Sequence, residues 1–505
     1  MSEPKKVDRR KFIYAGLGAV ALIAIGAAAY VAMNPPVVTV TTSTTVPTTS
    51  VVTTTVPTTS VVTTTVPTTS VVTTTQTTST KELTVWWYIS WLEGEKLATI
   101  ETTRNFEHEY GVTVNLTFFP QTDLNTKVRA AIEAGAVPDV VADTYWFNPL
   151  VYAYRGLLED LSDIVLDPKQ KDDWQPGILD GAYWLDATTG KRGYFILPMM
   201  MDGNYWSFWK DLYAKAGYTN PPPSDWDGFW KSIRDAHNAN IKDGIYGLGL
   251  PVGDTSPSDV MSIFEQILRL QGVDMLTEDL KLNTSDQALK GIENTLNFYV
   301  GLYKEGLTPK GSISWDDGGN NNAFHTRSVV AVCNNTMSIP AYQYSESKDN
   351  YYNKMFTSLW PKGPTGDDRM EVNVRGMYMF KASKNKELAK EFVKYFTKRD
   401  VYTEWIVGNE GRFCPVYKSV AENTQFFKQR DAGKVDPNIP VQIEMIKNRK
   451  IVVANMGRHA AYAQVAGIEN IWPKLMVKMI NEGLSAKDAA QQAMNRFKQA
   501  FEEFK

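Results

Sequence analysis

Hydrophobic and polar positions divide this chain into three stretches of different character. Phe12 to Met33 runs without a charge, as FIYAGLGAVALIAIGAAAYVAM, and about 20 apolar residues are enough to cross a bilayer core as a helix. From Val37 to Thr80 there is no helical or strand period, only Thr, Ser, Val and Pro. Periodic segments begin at Leu83. LTVWWYI (83–89) is rich in β-branched and aromatic residues and predicts a strand. A helix is expected from about Glu95 to Tyr110, ended by Gly111. Val112, Val114, Leu116 and Phe118 then alternate with polar residues, as in a second strand. Leu124, Val128, Ala131 and Ile132 share one helical face that stops at Gly135, and Val140–Ala142 reads as a buried third strand. Strands alternating with helices imply a parallel sheet with crossover helices. Near the C-terminus, Leu388, Ala389, Phe392, Val393 and Phe396 form one apolar stripe. A second runs along Ala486, Ala489, Ala490, Ala493, Met494, Phe497, Phe501 and Phe504. Both stripes are read as core.

The apolar run at 12–33 comes after Lys5, Lys6, Arg9, Arg10 and Lys11. Basic residues before a span keep the N-terminus cytoplasmic and place the downstream chain outside. The segment is read as a retained anchor. A cleaved secretory signal, or a twin-arginine export signal built on Arg9-Arg10, would export the rest equally well. Residues 1–11 are then a cytoplasmic basic segment and 34–80 a disordered stalk. Within it the unit TTVPTTSVVT repeats from Thr44 to Thr73, too short and too polar to bury a core. Such Thr/Ser/Pro stretches are typical of O-glycosylated stalks. Held extended, Val37–Thr80 reaches on the order of 130 Å, and as a free coil about 40 Å.

Composition adds limits. The 425 or so residues after the stalk exceed one compact core and suggest two domains. A net charge of −3 over 505 residues gives no electrostatic case for nucleic acid. The four histidines lie far apart without ligand-like spacing, so neither a metal site nor a cofactor is expected. Outside the cell Cys333 and Cys414 can pair as a disulfide, or remain two buried thiols. Asn115, Asn283 and Asn334 each open an N-x-S/T sequon and are candidate glycan sites. Aromatic residues make up 12% of the chain, which favours recognition by ring faces. In open parallel sheets the loops after the strands line the ligand crevice. Here those loops carry Tyr88–Trp91 and Asp143–Phe147, rings plus an acid. Ring faces stack on sugar C–H faces, and carboxylates accept bonds from hydroxyls.

The order of segments resembles that of the extracellular solute-binding proteins of the maltose-binding type, the sugar receptors of ABC importers. GVTVNLTFFP, KVRAAIEAGAVPDVVA and YRGLLEDLSDI look like the family's first-lobe signature. YFILPMMMDGNYWSFWKDLYAKAGYTNPPPSDWDGF looks like its first crossing between lobes. NNAFHTRSVVAVCNN, KASKNKELAKEFVKYFT and NEGLSAKDAAQQAMNRFKQAF come next in the family's order. Arg327 and Ser328 depart from it, standing where a Gly is usual.

The resemblance implies an α/β, two-lobed periplasmic-binding-protein-like (type II) fold with a hinge. Residues 81–197 and 361–409 would form the N-terminal lobe, and 198–360 and 410–505 the C-terminal lobe. Crossings are expected near Pro198–Tyr205, Trp360–Thr365 and Gly408–Arg412. A monomer would close on a mono- or oligosaccharide and deliver it, chemically unchanged, to permease subunits. The anchor and stalk resemble archaeal and some Gram-positive designs. The family's cleft positions map onto Tyr88, Trp91 and Glu93 after the first strand, and onto Asp143, Tyr145 and Trp146 after the third. Asp202 and Tyr205 fall in the first crossing, and Trp315 and Asp316 after Pro309. Asn334 and Asn335 end a crossover strand, Arg375 begins the return segment, and Arg412 lies in the third crossing. Asp202 can instead pair with an Arg across the hinge, and Arg375 and Arg412 can be structural ion pairs. An Asn334 facing the cleft excludes a glycan there. Two alternatives remain: the same lobes taking a polyol, an anion or a peptide, or a surface glycoside hydrolase using Asp143 with Asp202, or Asp316 with Asp317.

Overall fold

Residues 81–90, 92–142, 145, 147–255 and 257–505 are described by the structure, a computed structural model. The anchor (1–33), the stalk (34–80), Trp91, Asp143 and Trp146 lie outside the described residues. Among the described residues no helix is long and apolar enough to cross a membrane.

β1 (Glu82–Tyr88), β2 (Thr113–Phe119) and β3 (Val140–Ala142) come first, then a small hairpin, β4 (Tyr183–Asp186) and β5 (Lys191–Tyr194). Asn204 alone separates β6 (Leu197–Gly203) from β7 (Tyr205–Trp209). β8 (Tyr246–Gly249), β9 (Val329–Asn334), β10 (Met355–Ser358), β11 (Met370–Met379) and β12 (Ile451–Val453) complete the set. The strands form a six-stranded sheet, ordered β12-β11-β3-β1-β2 with β6 beside β11, and a four-stranded sheet, ordered β10-β7-β9-β8.

The early part folds as its pattern dictates. β1 lies parallel to β2 and β3, with the helices Glu93–Tyr110 and Gln121–Ala134 as crossovers. Both helices end at glycines in the left-handed region, Gly111 (φ 63°) and Gly135 (φ 66°), where a side chain would be strained. Alternation along β1 buries Leu83, Val85 and Trp87, while Trp86 is half-buried with its edge against Phe119. The sheet is not wholly parallel. β11 runs antiparallel to β3 and to β6. The two C-terminal stripes are core, on the helices Lys386–Tyr395 and Ala486–Glu503.

The chain passes from one sheet to the other at Asn204, between β6 and β7, and again over 359–369, between β10 and β11. After the helix Arg399–Gly408, Cys414 forms an isolated antiparallel bridge to Met201 of β6, and Met337 N donates to Arg412 O at 2.9 Å. Residues 410–505 do not stay with one sheet. Ile451–Val453 pairs with β11 in the six-stranded sheet, whereas the last helix packs on Asp286–Lys304. Assigning that whole stretch to the C-terminal lobe therefore fails at β12, because a three-residue apolar strand gives no sequence signal of which sheet it joins.

The structure decides between the open readings of the cysteines and of Asn334. Cys333 and Cys414 are both free and buried. Cys333 stands opposite Trp206 within the four-stranded sheet, and Cys414 opposite Met201 of the other. Asn334 is buried and bonded to Thr336 and Asn321, which leaves no room for a glycan. Asn115 is exposed and Asn283 half-buried.

Candidate functional site

Loops and strand ends from both sheets meet around a polar cavity of about 70 Å³. The six-stranded side supplies Tyr88 from the end of β1, Gln121 just past β2, and Arg375 from β11; Arg412 joins them from the third crossing. The four-stranded side supplies Ser258 and Asp259 from the first turn of the helix Pro257–Leu270, Asp317 and Asn321 before β9, and the segment Asn334–Ser338 after it. Strand termini place Tyr88, Gln121 and Asn334, because a residue at or just past a strand's end projects into the crevice while its core neighbours stay fixed.

The arginines stand on one wall. Arg412 Nη1 donates to Glu95 Oε2 at 2.8 Å and Nη2 to Tyr88 Oη at 3.1 Å, with the guanidinium 4.6 Å from the Phe413 ring centroid. Arg375 Nη2 donates to Gln121 Oε1 at 3.0 Å. Its Nη1 lies 3.6 Å from Asp202 Oδ2, an ion pair too long for a hydrogen bond. Asp202 is fully buried, and burial pushes its carboxyl up to about 6 against the pull of Arg375.

Acids and amides form the facing wall. Asp259 Oδ2 accepts from Asn320 Nδ2 at 2.8 Å. Burial, then the adjacent Asp317, hold the Asp259 carboxyl well above the usual range. Asp317 accepts from Tyr145 Oη at 2.8 Å, so the loop after β3 is tied to the opposite wall. Burial and the Asp317 charge push the Tyr145 phenol well up, so it stays a donor. Asn334 Oδ1 accepts from Thr336 N at 3.0 Å, Asn334 Nδ2 donates to Asn321 Oδ1, and Asn321 Nδ2 donates to Ser338 Oγ at 3.3 Å. These side chains are locked by one another, so the wall is preorganised.

Of the residues expected from sequence, Tyr88, Asn334, Asn335, Arg375 and Arg412 line this cavity, and Tyr145 borders it through Asp317. Glu93 does not reach it. It is exposed at the start of its helix, and the buried Glu95, half a turn further on, takes the arginine instead. Asp202 sits behind Arg375 as its counter-ion. Tyr205 is buried in β7. Trp315 is half-buried against Gly319 and off the cavity, and Asp316 is exposed; their neighbour Asp317 is the one that points inward. Gln121, Ser258, Asp259, Asn321, Thr336 and Ser338 line it without being marked by the sequence. Gln121 comes just after a strand and obeys the rule that found Tyr88. Ser258 and Asp259 sit in a Ser-Pro-Ser-Asp stretch that reads as an ordinary helix start. Among the described residues no group of His, Cys, Asp or Glu is placed to hold a metal.

The fold around this cavity is shared with known proteins. The chain superposes on an ABC transporter solute-binding protein of Thermotoga lettingae bound with alpha-D-tagatose, with a TM-score of 0.68 and 19% identity over 83% of this chain and 100% of that one. It does so on a maltose-bound MalE3 of T. maritima with a TM-score of 0.66 and 20% identity, covering 83% of this chain and 99% of that one. An Agrobacterium radiobacter K84 solute-binding protein in complex with ribitol gives a TM-score of 0.66 and 19% identity, covering 83% and 98%. A protein of Brucella abortus (strain 2308), whose name calls it a binding protein, is 27% identical over 347 residues, 67% of this chain and 77% of its own length. The fold is thus the two-lobed α/β fold of periplasmic-type receptors. The sequence pattern of one family covers residues 92–402, more than half the chain, and this protein belongs to that family, the bacterial extracellular solute-binding proteins.

Proposed function

We propose that this chain is the substrate-binding subunit of an ABC importer, taking up a sugar or polyol between its lobes and passing it on chemically unchanged. The observation that carries the reading is the composition of the cavity. Amide, hydroxyl, carboxylate and guanidinium groups from both sheets converge there, and hydroxyl-rich solutes need donors and acceptors at once. Relatives of the same fold hold tagatose, maltose and ribitol. A volume of about 70 Å³ holds a water or two rather than a sugar ring, so the lobes must part to admit solute and close again by hinge bending. Tyr88 is the described aromatic residue on the lining, so hydrogen bonding rather than stacking dominates the described walls.

The permease is the macromolecular partner this reading requires. Residues 12–33 serve as the membrane anchor and 34–80 as the spacer that holds the lobes outside the cell. Tethering raises the effective concentration of receptor at the permease. Membrane fractionation with and without residues 1–33 tests the anchor.

Thermal-shift screening against mono-, di- and oligosaccharides and polyols tests the binding function, since a ligand of the folded state raises Tm. At least one such solute is expected to shift Tm and to be recovered intact by chromatography. A screen in which none binds, or recovery of cleaved products, overturns the proposal.

A further inference from the structure

The two walls of the cavity are not electrically equivalent. Arg412 is answered by Glu95 at 2.8 Å and Arg375 by Asp202 at 3.6 Å, so the cationic wall is already compensated within the protein. On the facing wall Asp259 is 2% exposed, and its hydrogen bonds come from amides: the Asn320 side chain and the Asn335 backbone. Two other carboxylates, Asp317 and Asp202, each disfavour its ionisation. An ionised carboxylate offers roughly four lone-pair sites, and two amide donors leave the others to whatever fills the cavity. Burying a carboxylate beside like charge is costly unless a cation arrives or a proton is kept.

We infer that the solute carries an amine, as an amino sugar or aminated polyol does, and that its ammonium group seats between Asp259 and Asp317. The inference rests on the sugar-or-polyol reading above and narrows it. In the empty receptor Asp259 holds a proton. The groups facing it are Asp317, Asp202, Tyr299 and Cys333, with Arg375 and Arg412 across the cavity; burial keeps Tyr299 and Cys333 neutral. When an ammonium enters, Asp259 gives its proton to solvent and becomes the counter-ion. The ammonium keeps its own protons, so charge balances with up to one proton released per solute bound. An uncharged sugar needs no such release.

Calorimetry on the full-length protein in detergent tests this. D-Glucosamine, D-galactosamine, D-mannosamine, their N-acetyl derivatives, the parent hexoses and ribitol are titrated in phosphate and in Tris. At least one amine is expected to bind tenfold or more tighter than its N-acetyl and hydroxyl counterparts. Its binding enthalpy should differ between the buffers by the equivalent of proton release. Asp259→Asn should abolish both the preference for the amine and the proton release. If that variant does not fold, Asp317→Asn should lose the preference likewise. Tighter binding of an uncharged sugar or polyol, or amine binding without proton release, overturns this inference and leaves the receptor reading standing. Binding of none of these solutes overturns this inference, and the receptor reading is then decided by the wider screen of di- and oligosaccharides.

Discussion

Arg412 Nη1 and Glu95 Oε2 lie 2.8 Å apart, both buried, and the bond joins the third crossing to the helix after β1. The same arginine reaches Tyr88 through Nη2, and its backbone oxygen accepts from Met337 N. One residue thus ties the six-stranded side to the segment after β9 while also lining the cavity. Arg412→Ala leaves Glu95 with the Ser90 hydroxyl, at 2.6 Å, but without a cation. Removing one partner of a buried pair costs about 3–5 kcal/mol. Urea unfolding should register that loss, and the double variant Arg412→Met/Glu95→Gln should recover much of it while solute binding stays weakened. Equal stability of Arg412→Ala and the parent would remove the pair from the fold's support.

Much of this was readable beforehand, and the reasons are specific. Leu83, Val85 and Trp87 on one face of β1, with Gly111 and Gly135 as helix stops, left little choice for the first part of the six-stranded sheet. Tyr88 ends β1 and Arg412 lies in the third crossing, positions that a sequence reading can mark, whereas Arg375 stands inside β11, at the register shift against β6. Errors of one or two residues arose wherever helix phase or turn geometry decided the outcome, as with Glu93 for Glu95 and Asp316 for Asp317. Asp259 was invisible because nothing local distinguishes a buried helix-start acid from a solvated one; its surroundings come from Asn320, some 60 residues later. β12 was misassigned for the same kind of reason, since only long-range pairing decides its sheet.

Arg327 marks a departure that sequence did reveal. The family resemblance puts a Gly at Arg327 or Ser328, and Arg327 has a φ of 58°, in the region that glycine favours. The guanidinium lies 4.5 Å from the Trp209 ring centroid and pairs with Asp211, so the side chain returns part of what the backbone costs. Cation–π contact at a part-exposed site is worth about 0.5–1 kcal/mol, similar to the cost of a left-handed non-Gly residue, about 1 kcal/mol. Arg327→Gly should therefore leave stability within about 1 kcal/mol, whereas Arg327→Ala keeps the backbone cost, loses the contacts and should fall below both. Thermal unfolding that ranks Ala above Gly would contradict this account.

Asp202 gives the fold a pH dependence of definite sign. Its folded-state value is raised to about 6 by burial, against about 3.9 unfolded. Below that unfolded value both states hold the proton and its contribution is fully present. As pH rises toward 6 only the folded state keeps the proton, and stability is lost by on the order of 3 kcal/mol. His325 and His459 act oppositely. Burial holds them neutral down to about 4, so their contribution is lost as pH falls below the usual imidazole range. The net slope of the parent mixes these terms, so the informative quantity is a difference. Asp202→Asn minus parent, measured by urea unfolding from pH 4 to 7, should move in favour of the variant as pH rises. A flat difference would mean that Asp202 titrates normally in the fold.

Gly376 sets the position of Arg375 through backbone contact. The pairing of β11 with β6 shifts register between Arg375 and Gly376, and a Cβ on Gly376 would lie 2.0 Å from Leu197 O. That neighbour is backbone within a sheet and cannot swing aside. Gly376→Ala must therefore push β6 and β11 apart at the point where Arg375 enters the cavity. Overpacking of this kind typically costs about 1–3 kcal/mol, and solute affinity should drop with it because the Arg375–Gln121 contact at 3.0 Å moves. Gly301 is the control. It lies in the helix Asp286–Lys304 with nothing within 4 Å of its added Cβ. Gly301→Ala should raise stability by up to about 1 kcal/mol and leave affinity unchanged. Calorimetry and urea unfolding on both variants separate the effects. If Gly376→Ala lowers stability but keeps parental affinity, the register shift at Arg375 has no part in positioning the cavity's cationic wall.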